Sequence, residues 1–447
     1  MKGKTSKLFL LFILTLAIFA SLIGCNGKKP ANAQEKSDEP NEDHDVAEID
    51  MEGYTFKIAQ WWDEAPDSEE AIFAQREVEK KYNCQIEYVT ISWDQIVSKF
   101  TSSVLSGEPM ADIVLFEITR ALPVFAEAGL IIPVDDYFDF DDPKWPPIIK
   151  QTGRYAGKQY GFNNISWDVS GIFYNKELIH NQGFPDLYSL AAENRWTWDA
   201  FLEIAQGTTK DLDDDGKNDI WGLAIQGHNL FSPLILSNDA NIINIDDSGK
   251  ATYTLDDPNA IEALQFFSDL HNKYGVVAPV VDHSDWYEAP RKFAGGNIAM
   301  FFGQPWDGED IKKAAKFDYG FVHFPIGPRA SDYMVPVQIE AKIYVMPKHA
   351  KHPREAAMIF EEMSDFGNIE SFVDWVKTFV YNDPEIEMAV EMLQKGKVSM
   401  YLGYPTFSDM LFNKICTSII DDNMPADEFA EKFKNEAQEL IDEEYRR

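Results

Sequence analysis

Residues 54–116 alternate between strand and helix patterns, and this alternation limits the possible fold more than any other feature. Three apolar runs, at 56–59, 85–89 and 113–116, have the length and composition of buried strands. Two helix patterns separate these runs. The second is predicted to start with Asp94 as its cap and to bury one apolar side that ends at Leu105. A β-α-β-α-β run predicts an α/β fold with an open, largely parallel sheet.

A second group of strand patterns lies at 171–174, 221–225, 298–302 and 321–324, again separated by helices. One of these helices is predicted to begin at Pro258, with Asp257 as its cap, and to stop at Gly275. After residue 353 the pattern is mostly helical. With 447 residues, 45% of them hydrophobic, the chain is long enough for two or three domains.

The first 25 residues have the composition of an export signal. Three lysines precede an apolar run that is too short for a typical membrane span of about 20 residues. The sequence Leu22-Ile23-Gly24-Cys25 resembles the lipobox of bacterial lipoproteins. This resemblance predicts removal of residues 1–24, acylation of Cys25 and a lipid-anchored protein on the extracytoplasmic face of the cell membrane. An ordinary cleaved signal with an incidental cysteine is the alternative.

Residues 25–53 contain almost no large apolar side chains and many acidic ones. Such a segment cannot bury enough surface to fold, so we predict a disordered acidic tether. The net charge of the chain is −35, and loss of Lys2, Lys4 and Lys7 with the signal would make it −38. This charge repels phosphate backbones and anionic lipid. We therefore expect no nucleic-acid partner and no membrane contact other than the lipid anchor.

Two cysteines remain besides Cys25, namely Cys84 and Cys416. An exported protein meets an oxidising compartment, in which the two could form a disulfide. One possible pair is not a disulfide framework, however. We predict two separate buried thiols and keep the disulfide as the alternative.

Sequence signatures of common enzymes are absent from the chain. It contains no GxSxG, GxGxxG, P-loop or HExxH motif. A glycosidase needs only two well-placed carboxylates, so catalysis by acidic residues is not excluded. The motifs alone leave an enzyme and a binding protein open.

One acidic loop has the spacing of a calcium site. Carboxylates stand at positions 1, 3, 5 and 9 of the loop and a glycine at position 6, as in the first nine residues of an EF-hand loop. Position 12 carries Gly222 instead of the usual bidentate glutamate. A solvated acidic turn is the alternative to a structural Ca²⁺ site. The predicted ligands are Asp211, Asp213, Asp215, Asp219 and the backbone carbonyl of Lys217.

Aromatic and acidic residues recur at the ends of the predicted strands. In open α/β sheets ligands bind at the carboxyl ends of strands. An aromatic face matches the C–H face of a sugar ring, and neighbouring carboxylates accept hydrogen bonds from its hydroxyl groups. The pattern therefore predicts a carbohydrate site. The residues at these positions are Trp61, Trp62, Phe116, Glu117, Trp167, Asp168 and Trp306.

Five segments, in their order and spacing, resemble the family 1 extracellular solute-binding proteins of bacterial ABC importers, the carbohydrate-type group that includes maltose-binding protein. The resemblance covers nearly the whole predicted body, from about residue 56 to beyond residue 363. The segments are 157–161 (GKQYG), 171–178 (GIFYNKEL), 196–201 (WTWDAF), 296–306 (GNIAMFFGQPW) and 351–357 (KHPREAA).

The resemblance also implies roles for single residues. Trp61 matches an aromatic beside the ligand cleft, Asp168 an acidic contact, and Trp306 and Phe231 stacking aromatics of the second lobe. Phe116, Thr119 and Arg120 match a group that holds sugar hydroxyls. The family's acidic position falls on Thr119, so Glu117 would have to supply that carboxylate.

The family's fold implies two α/β lobes, joined by a hinge and separated by a ligand cleft. The expected lobes are 54–162 plus 340–378 and 163–339 plus 379–447. The expected function is capture of a sugar or oligosaccharide and its delivery to the permease subunits of an ABC transporter, by a monomer. A secreted glycoside hydrolase using Glu117 and Asp168, and a sugar-sensing partner of a membrane kinase, are the alternatives.

Overall fold

The structure is a computed structural model that describes residues 49–61, 69–164, 169–226, 229–282, 285–337, 342–364, 366 and 369–445. The predicted signal (1–24), Cys25 and the tether up to residue 48 lie outside these residues. They remain predictions.

The strands and helices of the described residues are numbered here in chain order. The strands are β1 (Tyr54–Gln60), β2 (Cys84–Thr90), β3 (Ile113–Glu117), β4 (Arg154–Tyr155), β5 (Lys158–Gln159), β6 (Gly161–Phe162), β7 (Gly171–Asn175), β8 (Trp221–Ala224), β9 (Ile243–Ile245), β10 (Ala251–Tyr253), β11 (Ile298–Gly303), β12 (Tyr319–Val322), β13 (Val335–Val337), β14 (Lys342–Val345) and β15 (Gly396–Val398). The helices are α1 (Glu69–Tyr82), α2 (Trp93–Leu105), α3 (Ile118–Ala121), α4 (Val124–Glu127), α5 (Pro147–Thr152), α6 (Lys176–Asn181), α7 (Leu187–Ala192), α8 (Trp198–Thr208), α9 (Phe231–Ser237), α10 (Pro258–Asn272), α11 (Glu288–Ala294), α12 (Pro305–Ala314), α13 (Pro353–Met363), α14 (Glu370–Val376), α15 (Asp383–Met392), α16 (Pro405–Lys414) and α17 (Ala426–Glu444), with a 3₁₀ turn at Tyr401–Gly403 and a π-helix at Ile415–Asp421.

Sheet 1 contains the three strands predicted from the first apolar runs, each one to three residues longer than its pattern. Its order is β2-β1-β3-β14-β6. β1 is parallel to β2 and β3, and β14 is antiparallel to its two neighbours. The predicted β-α-β-α-β run is therefore confirmed. The edge at which β1, β2 and β3 end is called the carboxyl edge of sheet 1.

Sheet 2 has the order β12-β7-β11-β8 and contains the four strand patterns of the middle of the chain. β11 is parallel to β8, whereas β7 is antiparallel to both β11 and β12. β11 is buried along its whole length, because helices cover both faces of an α/β sheet. The edge at which β8 and β11 end is called the carboxyl edge of sheet 2.

Two helices show how well the sequence signals set the element ends. Pro258 begins α10, and the side chain of Asp257 accepts the N–H of Asn259 at 2.8 Å, as predicted. α2 begins at Trp93 with Ser92 as its cap, so the predicted cap at Asp94 is wrong by two residues. Leu105 at the other end of α2 is 74% exposed and does not belong to the buried side.

The chain crosses from sheet 1 to sheet 2 between β6 and β7 and returns between β13 and β14. The Oγ of Ser170 donates to the carbonyl of Pro336 at 2.6 Å and so ties the two crossings together. Residues 165–168 and 338–341 within them lie outside the described residues. The exact lobe boundaries remain a prediction.

The two described cysteines are both free thiols, as predicted. Cys84 is buried in β2, whereas Cys416 in the π-helix is only partly buried. Burial raises the pKa of both thiols, that of Cys416 to about 11. None of the helices in the described part of the chain is long and apolar enough to cross a membrane.

Candidate functional site

The carboxyl edge of sheet 1 carries three of the predicted ligand residues. Trp61 directly follows β1, and Glu117 is the last residue of β3, the strand beside it. Arg120 lies one turn later in α3, with its Nε 3.9 Å from the carboxylate of Glu117. Sheet 1 therefore places an indole, a carboxylate and a guanidinium at neighbouring strand ends.

The pKa of Glu117 is shifted by the position of its side chain at this edge. Burial raises the pKa of its carboxyl group, and this effect is opposed by the Trp93 side chain, which donates a hydrogen bond, and by the positive charges of Arg120 and Lys342. Lys342 lies directly opposite Glu117 in the β3–β14 pairing. Burial outweighs these opposing effects, so the pKa of Glu117 stays above its usual value.

Trp93 was not predicted as a site residue, because the sequence pattern placed the cap of α2 at Asp94, the residue after Trp93. It is the first residue of α2 and follows β2, so it lies on the same edge as Trp61. The guanidinium carbon of Arg120 lies 3.9 Å from the centre of the Trp93 ring. The signal that could have found it is an indole just after a predicted strand.

The carboxyl edge of sheet 2 presents Trp306. It is the second residue of α12, which starts two residues after β11 ends, and its side chain is 43% exposed. A capping box formed by Gln304 and Asp307 fixes the start of this helix. An exposed indole thus stands on a rigid helix start.

A second aromatic of this edge was also missed. The backbone carbonyl of Trp286 accepts a hydrogen bond from the Nε2 of Gln226 at 3.0 Å, and Gln226 lies just beyond β8. The Trp286 side chain is 53% exposed, and that of the following Tyr287 is 59% exposed. The Trp286-Tyr287 pair lies in a turn before α11. It does not follow a predicted strand, so the strand-end pattern does not predict it.

Five of the predicted ligand residues are not shown at either edge: two are buried, and three lie outside the described residues. Phe231 is fully buried in α9 against Phe267 and Tyr401, and Phe116 is fully buried against Phe100 and Phe125. Neither ring offers a face to a ligand here, which corrects the prediction for both. Both rings belong to the hydrophobic core. Trp62, and Trp167 with Asp168, lie outside the described residues and stay predictions.

The acidic loop forms the predicted turn between α8 and β8. Carboxylate oxygens of Asp211, Asp213 and Asp215 lie within 4.8 Å of one another. The Oδ1 of Asp211 is buried and has no hydrogen-bond partner. Asp219 contributes one oxygen to the loop itself, since its Oδ2 accepts the N–H of Leu212 at 2.8 Å.

A cavity of about 440 Å³ is lined by residues that belong to neither carboxyl edge. It is lined by the β4–β5 hairpin, by β9 with the residues after it and by α5, including Arg154, Asn244, Asp246 and Lys150. Of the predicted ligand residues that the structure describes, none lines this cavity. The strand ends, rather than this cavity, hold the aromatic and charged groups described above.

Comparison with known proteins now decides the family. The family described as bacterial extracellular solute-binding protein matches residues 74–381, which is more than half of the chain. The chain belongs to this family. The description of the family is that of extracellular solute-binding proteins, so the predicted family and the extracytoplasmic location are confirmed at this level.

Solved structures agree on the fold. A cyclo/maltodextrin-binding protein complexed with maltotetraose is similar with a TM-score of 0.66 and 17% identity, over 87% of this chain and 96% of that one. The maltose/maltodextrin-binding domain MalE from Bdellovibrio bacteriovorus, bound to maltotriose, is similar with a TM-score of 0.56 and 18% identity, over 87% of this chain and 100% of that one. The predicted two-lobed α/β binding-protein fold is thereby confirmed.

A curated relative is similar in sequence over part of the chain. It is a maltotriose-binding protein of Pyrococcus abyssi (strain GE5 / Orsay), 25% identical over 202 residues. The match covers 45% of this chain and 39% of the relative. Because it spans less than half of either protein, it does not transfer a ligand.

Proposed function

We propose that this protein captures a sugar or oligosaccharide between its two lobes and delivers it to the permease of an ABC importer. The observation that carries the proposal is the set of exposed indoles and charged groups at the carboxyl edges of both sheets. Stacking on Trp306 would hold the apolar face of a sugar ring. Glu117 and Arg120 would accept and donate hydrogen bonds to its hydroxyl groups. The names of the similar proteins, which bind maltodextrins, agree with this ligand class.

Capture depends on the two lobes closing over the ligand. Residues at the carboxyl edges of sheet 1 and sheet 2 would contact the same ligand only in the closed form. The ligand would therefore stabilise the closed form by the free energy of the added contacts. Micromolar affinity corresponds to about −8 kcal/mol. A few stacked rings and charge-assisted hydrogen bonds supply this amount after the cost of ordering.

A ligand screen tests the proposal. The melting temperature of the mature chain would be measured with maltose, mannose, cellobiose and xylose oligosaccharides, and with amino acids and peptides as a comparison set. We expect the melting temperature to rise with at least one saccharide and with none of the amino acids or peptides. A rise with peptides only would contradict a sugar ligand, and release of shorter sugars from the sample would favour the hydrolase.

Membrane attachment is a separate part of the proposal. Acylation of Cys25 would hold the mature chain at the outer face of the membrane, close to the permease. The support is the lipobox-like sequence and the family's extracellular role. Labelled palmitate should enter the wild-type protein and not the Cys25→Ala variant, which should be released into the medium.

We also propose that the acidic loop binds a structural Ca²⁺. The chemistry of its donors fits, since hard oxygen ligands converge and one buried oxygen of Asp211 lacks a partner. Asp213, Asp215 and the carbonyl of Lys217 would complete the protein ligands, with Asp219 acting directly or through water. The ion would offset repulsion among the carboxylates and so stabilise the turn that leads into β8.

A further inference from the structure

Trp93 occupies an unusual position for so large an apolar side chain. Half of its surface, 50%, is exposed, although burying an indole is strongly favourable. It stands at the start of α2, on the carboxyl edge of sheet 1. An exposed indole there is placed where ligands of this fold bind.

The Trp93 ring is held by its neighbours rather than left free. The guanidinium of Arg120 lies over one face at 3.9 Å from the ring centre, and its NH1 donates to the Trp93 carbonyl at 2.9 Å. The Trp93 side chain also interacts with the carboxyl group of Glu117 and opposes the rise of its pKa. These contacts fix the ring before a ligand arrives, so little side-chain entropy is lost on binding.

If the exposed indoles of the two edges all stack on the ligand, their number sets a lower limit on its size. Trp93, Trp286 and Trp306 are 50%, 53% and 43% exposed, one on the edge of sheet 1 and two on the edge of sheet 2. A single sugar ring has two faces and can stack on at most two aromatic rings. Three indoles therefore require at least two sugar rings to be covered.

We propose that Trp93 binds the ligand directly and determines its chain length, because it provides the stacking surface for a sugar ring beyond the one held at Trp306. This inference rests on the proposed sugar-binding function. Arg120 covers one face of the indole, so the sugar ring stacks on the face or edge that remains exposed. Arg120 and Glu117 position Trp93 as well as meeting hydroxyl groups.

Affinity measurements on matched variants test the role of Trp93. Calorimetry would compare wild type, Trp93→Ala, Trp93→Phe and Leu105→Ala, using maltotetraose, mannotetraose and cellotetraose as probes and the corresponding monosaccharides. Leu105 is the matched control, since it is an exposed apolar residue at the opposite end of the same helix. For the tetrasaccharide that wild type binds, we expect Trp93→Ala to weaken binding at least tenfold. Trp93→Phe should stay within about threefold of wild type, and Leu105→Ala should not change.

Fluorine NMR separates direct contact from a structural role. In protein labelled with 5-fluorotryptophan, the Trp93 signal is the one missing from the Trp93→Phe variant. This signal should shift when the tetrasaccharide is added. A static signal, an unchanged affinity of Trp93→Ala, or tighter binding of the monosaccharide than of the tetrasaccharide would each overturn the inference and leave sugar binding itself intact. If wild type binds no saccharide, the proposed function fails and the inference fails with it.

Discussion

The carboxylate of Asp307 accepts the backbone N–H of Gln304 at 2.9 Å, and the two residues bracket Trp306 at the start of α12. Asp307 and Gln304 are both buried, at 3% and 6% exposure, while the indole between them projects into solvent. The cap therefore fixes the backbone on both sides of the most exposed residue of the α12 start. The contribution of Trp306 to binding and that of Asp307 to stability can therefore be tested separately.

Removing the Trp306 indole should affect binding and leave the fold intact. We expect Trp306→Ala to weaken saccharide binding more than tenfold, which is about 1.4 kcal/mol, because a stacking surface is lost. The melting temperature should change little, since the side chain is exposed. Calorimetry and thermal unfolding measure the two effects. Phe412→Ala, which removes a partly exposed ring from α16, is the control, and an unaltered affinity of Trp306→Ala would remove this residue from the site.

Asp307 should make the protein less stable as the pH rises. Burial, assisted by the negative charge of Asp310, raises its pKa to about 7, against about 3.9 in an unfolded chain. The folded state then holds a proton that the unfolded state has lost, so this contribution to stability is complete below about pH 4 and is lost as the pH rises through 7. Asp307→Asn keeps an acceptor for Gln304 without the charge.

We expect the Asp307→Asn variant to become more stable relative to wild type as the pH increases. Between pH 5 and pH 8 the difference in free energy of unfolding should grow by about 2 kcal/mol in favour of the variant. Denaturant titrations at several pH values measure it. Asp310→Asn removes a charge from an exposed position of the same helix and should show a much flatter difference. A constant difference for Asp307→Asn would mean that Asp307 is ionised throughout this range.

Chelation should destabilise the wild-type protein if the acidic loop holds calcium. We expect a chelator to lower the melting temperature of wild type and to have no effect on Asp213→Asn, which weakens one of the converging ligands. Asp214→Asn removes the same charge from the adjacent position, where the backbone has φ +59, a conformation that asparagine tolerates. This control should respond to the chelator like wild type. Equal responses of all three proteins would contradict the calcium proposal.

The two cysteines of the body should behave as independent thiols. In mature protein that lacks Cys25, a thiol reagent should label both Cys84 and Cys416 in denaturant without prior reduction. Labelling of the folded protein near neutral pH should be slow, because burial raises the pKa of both thiols. Mass spectrometry counts the labels. Labelling that requires a reductant would show that the disulfide forms.

The sequence predicts the sheets well because apolar runs between helix patterns leave few alternatives. The strand positions and the α10 cap at Asp257 depend on local chemistry, and both are confirmed. The position of Trp93 depends on a helix start shifted by two residues. Its orientation depends on Arg120, which is distant in sequence. No local pattern contains that contact.

The same limit explains the other differences. The family resemblance implied a stacking role for Phe231, but Phe267 and Tyr401 from later in the chain cover its ring. Gly222 looked like a defect at position 12 of the calcium loop. In the structure a Cβ at Gly222 would lie 2.3 Å from the carbonyl oxygen of Ala205, so the close packing of β8 on α8 excludes a glutamate there.

Small-angle X-ray scattering with and without saccharide tests lobe closure on a sugar most directly. The radius of gyration of the mature chain should decrease when the tetrasaccharide that raises its melting temperature is added, and it should not change with the same concentration of a peptide. Profiles that stay identical with every saccharide, together with calorimetry that detects no heat of binding, would contradict the account.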